Sequence, residues 1–209
     1  MFWDKLERAN FILEAIIETA HLPVDDRTVA WLLHRPIEDG GQWDMFVSLV
    51  NKYGVVPKTV MVETDSSSNS SRLNTMLNYQ VRQGSKLIRD TYSSEAGLDE
   101  LRKIKNAVVS TIFQMLCIHL GTPPSSFFWQ WKDKDDEFRR DGNISPTEFA
   151  DKYVKTPLAE YVCLVHDPRP TSQIGKTYTV NYLGNVLDSP PIKYLNVDIE
   201  LMKDLTAKQ

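Results

Sequence analysis

The sequence predicts an α+β protein whose helices and strands occupy separate stretches of the chain. Apolar residues recur at helical spacing from Leu6 to His119. Phe127, Trp129 and Trp131 then alternate with Phe128, Gln130 and Lys132, as a strand requires, and further β-rich runs follow. Strands and helices do not alternate along the chain, so an α/β fold with a parallel sheet is disfavoured.

Leu6, Ala9, Leu13, Ile16, Ile17 and Ala20 predict an opening helix of about four or five turns, ended by Pro23. A short helix carrying Val29, Leu32 and Leu33 follows, capped by Asp25 or Asp26 and stopped before Pro36. The Gly40-Gly41 turn opens a helix with Trp43, Phe46, Val47 and Val50 on one face. Gly54 fits a left-handed C-terminal cap there. Thr64 to Ser71 is rich in Ser and Asn and reads as an exposed loop or linker. Two longer helices come next. One spans roughly Arg72 to Thr91 with Leu73, Leu77, Leu87 and Ile88. The other spans roughly Gly97 to His119, with Leu101, Ile104, Val108, Ile112, Met115 and His119 in one stripe. Gly121 and Pro123-Pro124 end it.

Beyond the aromatic strand, a charged turn from Lys132 to Asp141 leads to Ser145-Pro146-Thr147-Glu148. That tetrapeptide is a capping box with proline at the first helical position. Tyr161 to Val165 and Lys176 to Tyr182 read as paired strands joined through Asp167-Pro168-Arg169-Pro170, and Asp198 to Lys208 as a closing capped helix. There is no internal repeat.

Composition narrows the function classes. With 42% hydrophobic and 25% charged residues, the 209-residue chain is expected to be a soluble globular protein. A net charge of −4 and a pI near 5.6 argue against a dedicated nucleic-acid binder. Cys117 and Cys163 make no disulfide framework, and their apolar neighbours favour buried, inert thiols. No signal peptide or membrane-spanning run is visible, so the expected compartment is the cytoplasm and no membrane partner is expected. Asn69-Ser70-Ser71 matches a glycosylation sequon, which means little without a secretory signal.

Candidate chemistry is sparse. Glu137 to Glu148 imitates a calcium loop through Asp141, Gly142, Ile144 and Glu148, but Arg139 stands where a ligand oxygen is required. The histidines His21, His34, His119 and His166 lack metal-ligand spacing, so no metal is expected. His119 reads as a core or helix-end residue. His166 beside Asp167 resembles a base with its orienter, yet strand neighbours point to opposite faces. No nucleophile elbow, P-loop or dinucleotide fingerprint occurs, and no cofactor is expected. Trp129 and Trp131 could stack a ligand, but core packing or an interface is commoner for such residues. The adjacent glycines Gly40 and Gly41 mark a place where another backbone can approach closely.

Several motifs stand together in one order. Phe2-Trp3-Asp4-Lys5-Leu6-Glu7-Arg8, Asp39-Gly40-Gly41-Gln42-Trp43-Asp44-Met45 and Lys52-Tyr53-Gly54-Val55-Val56-Pro57-Lys58 are followed by Leu120-Gly121-Thr122-Pro123-Pro124, Trp131-Lys132-Asp133-Lys134-Asp135, Asp167-Pro168-Arg169-Pro170 and Tyr178-Thr179-Val180-Asn181-Tyr182-Leu183. Essentially end to end, the chain resembles the bleomycin hydrolase and aminopeptidase C branch of the papain-like cysteine peptidases.

The resemblance implies part of a papain-like helical lobe at 1–63, a helical and hook-type insertion at 64–182, and a return segment at 183–209 towards a β-barrel lobe that is absent. It implies a cleft wall at Gly40-Gly41, where a peptide substrate pairs as an extended strand, flanked by Asp39, Gln42 and Trp43. In the family the nucleophilic Cys precedes the Phe-Trp-Asp-Lys segment, and the His and Asn follow the helix that begins near Asp198. No catalytic residue is therefore assigned here. The implied function is a portion of a cytoplasmic cysteine aminopeptidase. The implied assembly is a homo-oligomer, hexameric by family, with Trp129 and Trp131 suited to an interface. The alternative is a non-catalytic oligomerisation or interaction module derived from the same family.

Overall fold

The computed structural model describes residues 1–208. Eight helices and five strands run in the order α1 (Phe2–Glu18), α2 (Arg27–His34), α3 (Trp43–Tyr53), α4 (Asp65–Ser68), α5 (Ser71–Tyr92), α6 (Leu98–Leu120), β1 (Phe127–Lys132), β2 (Phe138–Ile144), α7 (Pro146–Tyr153), β3 (Cys163–Val165), β4 (Thr177–Tyr178), β5 (Tyr194–Asn196) and α8 (Ile199–Ala207). A 3₁₀ turn at Leu158–Glu160 precedes β3. The α+β class expected from the sequence is observed, and no closed barrel forms among the described residues.

Helices α1, α5 and α6 pack on one another and α2 closes one end. Leu13 and Ile16, Leu32, Leu73 and Leu77, and Ile112 and Leu116 meet in one buried cluster. Helices on both sides of residue 64 share this core. Apolar area removed from water at roughly 25 cal/mol per Å² is its main stabilisation. The buried line on α6 runs Leu101, Lys105, Val108, Ile112, Leu116 and Leu120. Ile104, Met115 and His119 from the expected stripe lie half-buried at its margin. A lysine enters this line because Glu14 on α1 faces it. Lys105 Nζ lies 2.6 Å from Glu14 Oε2, and Arg102 Nε and Nη2 lie 2.9 and 2.7 Å from Glu14 Oε1.

Thr64 to Ser71 is a helix start, not the expected open loop. Thr64 and Ser67 form a capping box around the single turn of α4. The Thr64 hydroxyl donates to the His119 carbonyl at 2.9 Å, and Ser66 Oγ lies 2.9 Å from His119 Nδ1. The segment is thus pinned to the C-terminus of α6 by short polar side chains. On α5, Leu87 is exposed and Val81 takes the buried position.

The charged turn expected from Lys132 to Asp141 is shorter, because Phe138–Ile144 forms β2 and pairs antiparallel with β1. Register slips between Trp129 and Gln130, so Asp141 is the extra residue of a bulge. Its carboxylate accepts from Lys152 and, at 2.6 Å, from the Tyr153 hydroxyl. Burial and the Asp141 carboxylate push the Tyr153 phenol up to about 12. Trp129 and Trp131 stack on each other and pack edge-on against Tyr153 of α7, while Phe149 packs edge-on against Trp129 and Phe127. The open side of the hairpin instead carries Phe128 and Phe138, 52% and 62% exposed.

β3 and β4 are not partners: β5 lies between them, parallel to β3 and antiparallel to β4. Asn196 of β5, fully buried, makes this arrangement possible. Its side chain accepts from the Asp167 amide at 2.8 Å and donates to the Asp167 and Ser172 carbonyls at 3.1 and 2.8 Å. One side chain thereby satisfies the turn that links the strands.

Candidate functional site

The loop from α2 to α3 carries the paired glycines, and α1 lies behind it. Lys5, only 1% exposed, sends Nζ to the Glu38 carbonyl at 2.9 Å and to Asp39 Oδ1 at 2.6 Å. The other Asp39 oxygen accepts from Ser70 Oγ at 2.5 Å and Asn74 Nδ2 at 2.8 Å. Burial disfavours the Asp39 charge, but hydrogen bonds from Lys5 and Ser70 and the Lys5 charge outweigh it and hold the carboxyl below its usual range.

Gly40 has φ +81°, a conformation that L side chains rarely adopt. Its carbonyl accepts from Arg8 Nη2 at 2.7 Å. Arg8 Nη2 also lies 3.2 Å from Asp4 Oδ1. Gly41 is closely backed: an added Cβ would sit 3.1 Å from Met45 Sδ and 3.2 Å from Arg8 Nη2, so these side chains would have to give by a few tenths of an ångström. Among the described residues neither the Gly41 N–H nor its C=O has a hydrogen-bond partner. Gln42 is extended (φ −90°, ψ 157°), and its carbonyl starts α3 by accepting from the Met45 and Phe46 amides. The result is a short exposed backbone edge on a rigid backing.

A cavity of about 530 Å³ lies against this edge, walled by Met1, Met45, Phe46, Leu49, Ser67 and Ser70. Of the five expected site residues, Asp39, Gly40, Gly41 and Gln42 border it. Trp43 does not. Its indole N–H donates to the Leu158 carbonyl at 3.1 Å and its ring packs on Tyr161. Phe46, expected on one face of α3 with Trp43, Val47 and Val50, is 48% exposed and lines the cavity. The buried residues of α3 are Met45 and Val50.

Three residues behind the edge were not legible as site residues: Lys5, Arg8 and Asn185. Asn185 is buried and donates to the Met45 carbonyl at 3.2 Å and Asp4 Oδ1 at 3.4 Å. A signal for the first two existed. Lys5 and Arg8 are spaced to share one face of α1 and alternate with core residues such as Leu6 and Ala9, so charges at that margin need partners.

The other candidate groups are engaged elsewhere. Cys163 borders a second cavity of about 450 Å³ with Asp44 and Tyr161. Burial and the Asp44 charge push its thiol up, against the pull of the Trp43 and Asp44 amides, which is opposite to what a reactive thiolate requires. His166 Nδ1 lies 2.9 Å from the Val197 carbonyl, and Asp167 is paired with Arg169 and Ser172. Glu148 caps α7 through Ser145. Among the described residues no three His, Cys, Asp or Glu side chains cluster as a metal site would, and no helix is long and apolar enough to cross a membrane.

The family model described as "Peptidase C1-like family" matches residues 1–209. The chain belongs to the Peptidase C1-like family. Among its Peptidase C1-like relatives, aminopeptidase C of Listeria innocua is 43% identical over 208 residues, covering 100% of this chain and 46% of the relative. Human bleomycin hydrolase is 39% identical over 210 residues, covering 99% of this chain and 46% of the relative. The crystal structure of PepW from Lactobacillus rhamnosis HN001 superposes with a TM-score of 0.94 at 38% identity, covering 100% of this chain and 47% of that one. This Peptidase C1-like chain therefore spans about half the length of the relatives it matches.

Proposed function

We propose that the chain is the peptide-gripping portion of a cysteine aminopeptidase. The complete enzyme hydrolyses N-terminal peptide bonds through a Cys thiolate, and its nucleophile, base and orienting residue come from polypeptide outside these residues. The observation that carries this reading is the Gly41 peptide edge. Gly41 is an exposed residue whose N–H and C=O are unpartnered among the described residues, and Met45 and Arg8 back it. An extended substrate pairing there gains main-chain hydrogen bonds that are blind to side-chain identity. It is also held in line for attack, and such alignment is a large part of what an active site contributes. The relatives named aminopeptidase C and bleomycin hydrolase support the same reaction class. The thiol chemistry needs a Cys within hydrogen-bond reach of a base. Neither Cys117 nor Cys163 hydrogen-bonds to a histidine among the described residues, which supports a nucleophile supplied from elsewhere.

The test is a segment swap. Residues 1–209 replace the matching stretch of Listeria innocua aminopeptidase C, and hydrolysis of aminoacyl-coumarin amides is followed. The chimera should hydrolyse them in a thiol-dependent manner, while the free 209-residue chain gives no turnover. Gly41→Ala in the chimera should lower kcat/KM roughly tenfold, because Met45 and Arg8, which back the edge, must shift to admit the new methyl. A folded but inert chimera, or thiol-sensitive turnover by the free chain, would overturn the proposal.

A further inference from the structure

We infer that Arg8 is a positioning residue that sets the peptide plane between Gly40 and Gly41, and with it the direction and donor strength of the Gly41 N–H. The inference rests on the groove reading above and assigns the part of the machinery that makes the groove readable to a substrate.

The Gly40 carbonyl and the Gly41 amide are opposite ends of one planar trans peptide unit. Fixing one end fixes the other. Between two residues without Cβ, that plane can rotate with little steric penalty, so a Gly-Gly edge is permissive but unspecified. Arg8 supplies the specification. Its Nη2 reaches the Gly40 carbonyl at 2.7 Å, the length of a charge-assisted bond. The guanidinium stands on α1, in the helical core, and Asp4 holds it in place at 3.2 Å. Asn185 donates to the same Asp4 oxygen at 3.4 Å, tying this support to the segment that crosses α3. Arg8 Nε is buried with no partner, so the fork is aimed at the glycine carbonyl and not at its own full satisfaction.

Two consequences follow for a bound peptide. With the Gly40 oxygen turned to α1, the Gly41 N–H points the opposite way, out from the guanidinium. A carbonyl that accepts from a cation also polarises its own amide, which strengthens the N–H as a donor. Lys5 does not duplicate this role, because it grips the Glu38 carbonyl and the Asp39 carboxylate one residue upstream. Both contacts come from the one nitrogen Nη2, and a lysine, whose stem is shorter and whose charge is a point ammonium, reaches that position less well.

The experiment uses the whole chain labelled with ¹⁵N and ¹³C, as wild type, Arg8→Lys and Arg8→Met, and acetyl-trialanine methylamide as the probe. In the free protein, Arg8→Met should move the Gly40 carbonyl resonance upfield and introduce microsecond-to-millisecond exchange at the Gly41 amide, with the hairpin resonances around Trp129 unchanged. Probe affinity should weaken about tenfold, with Arg8→Lys between the two. If Arg8→Met fails to fold, Arg8→Lys carries the same readouts. An unchanged Gly40 carbonyl and Gly41 amide in a folded variant would overturn the positioning role, as would equal probe affinity where the wild type binds at Gly41. A wild type whose Gly41 amide ignores the probe would instead sink the groove reading, and the free-protein spectra would still decide whether Arg8 sets the plane.

Discussion

Glu14→Gln lowers the unfolding free energy by about 3–5 kcal/mol, the range for removing one partner of a buried ion pair. Glu14 and Lys105 side chains are each only 9% exposed and meet at 2.6 Å, with Arg102 on the second carboxylate oxygen. The amide would leave the Lys105 ammonium desolvated against a neutral group, in the seam where α1 meets α6. Lys105→Met on the Glu14→Gln background removes the stranded charge and should restore a substantial part of the loss. The pH dependence has a definite sign. Burial pushes the Glu14 carboxyl up, but hydrogen bonds from Lys105 and Arg102 and their charges outweigh it and hold it below the usual carboxylate range. A depressed native value means that the stabilisation is fully present above the unfolded-state value and is lost as pH falls through the native one. Urea titrations of wild type from pH 7 down to pH 3 should show this loss below about pH 4.5 and Glu14→Gln should lack it. Equal stability of the two proteins at pH 7 would remove the triad from the forces holding α1 to α6.

Gly54→Ala costs about 2–5 kcal/mol, from a backbone in the positive-φ region and from overpacking. Gly54 has φ +66°, and an alanine Cβ would lie 2.1 Å from the Pro146 carbonyl oxygen and 2.4 Å from the Thr147 nitrogen. Both are backbone atoms at the first turn of α7, so no side-chain rotation relieves the clash. The Val55 amide donates to the same Pro146 oxygen at 3.1 Å, and that bond must break if the two helices part. The effect should appear first where α7 supports Trp129 and Trp131, as altered near-ultraviolet circular dichroism, together with a lower urea midpoint. An alanine variant within about 0.5 kcal/mol of wild type would show that α3 and α7 do not depend on this contact.

What the sequence made legible follows from how local each cause is. The capping box at Ser145 and Glu148 involves residues three apart and was readable at once. A cap at Asp25 or Asp26, which is Asp26, and the long helices were readable for the same reason, since one face alone sets the helices' period. Gly54 read as a helix end, which it is, but its close approach to Pro146 depends on a segment far along the chain. β2 was hidden because Phe138 to Ile144 is charged and carries no alternating apolar face; it pairs only with β1, at the surface. The β3–β4 partnership failed because β5 is three residues long and too short to announce itself between them. Lys105 was hidden by its charge, which pattern reading assigns to solvent unless a distant Glu14 is known.

The candidate site divides the same way. Gly40 and Gly41 stand out as consecutive residues without side chains, so the edge itself was visible. Its supports come from α1, α5 and the segment near Asn185, and no spacing within the loop points to them. Trp43 follows Gln42 by a single residue, and that step of about 100° around α3 directs its indole to Leu158.

The most direct measurement titrates the labelled 209-residue chain with a blocked extended tripeptide and with its twin methylated at the central backbone nitrogen. Backbone pairing at Gly41 requires that the first peptide shift the Gly41 amide and its neighbours Gly40 and Gln42, and that the methylated twin, lacking one donor, bind about tenfold more weakly. Equal binding of both peptides, or shifts confined to the cavity around Tyr161 and Cys163, would contradict a peptide-pairing edge at the paired glycines.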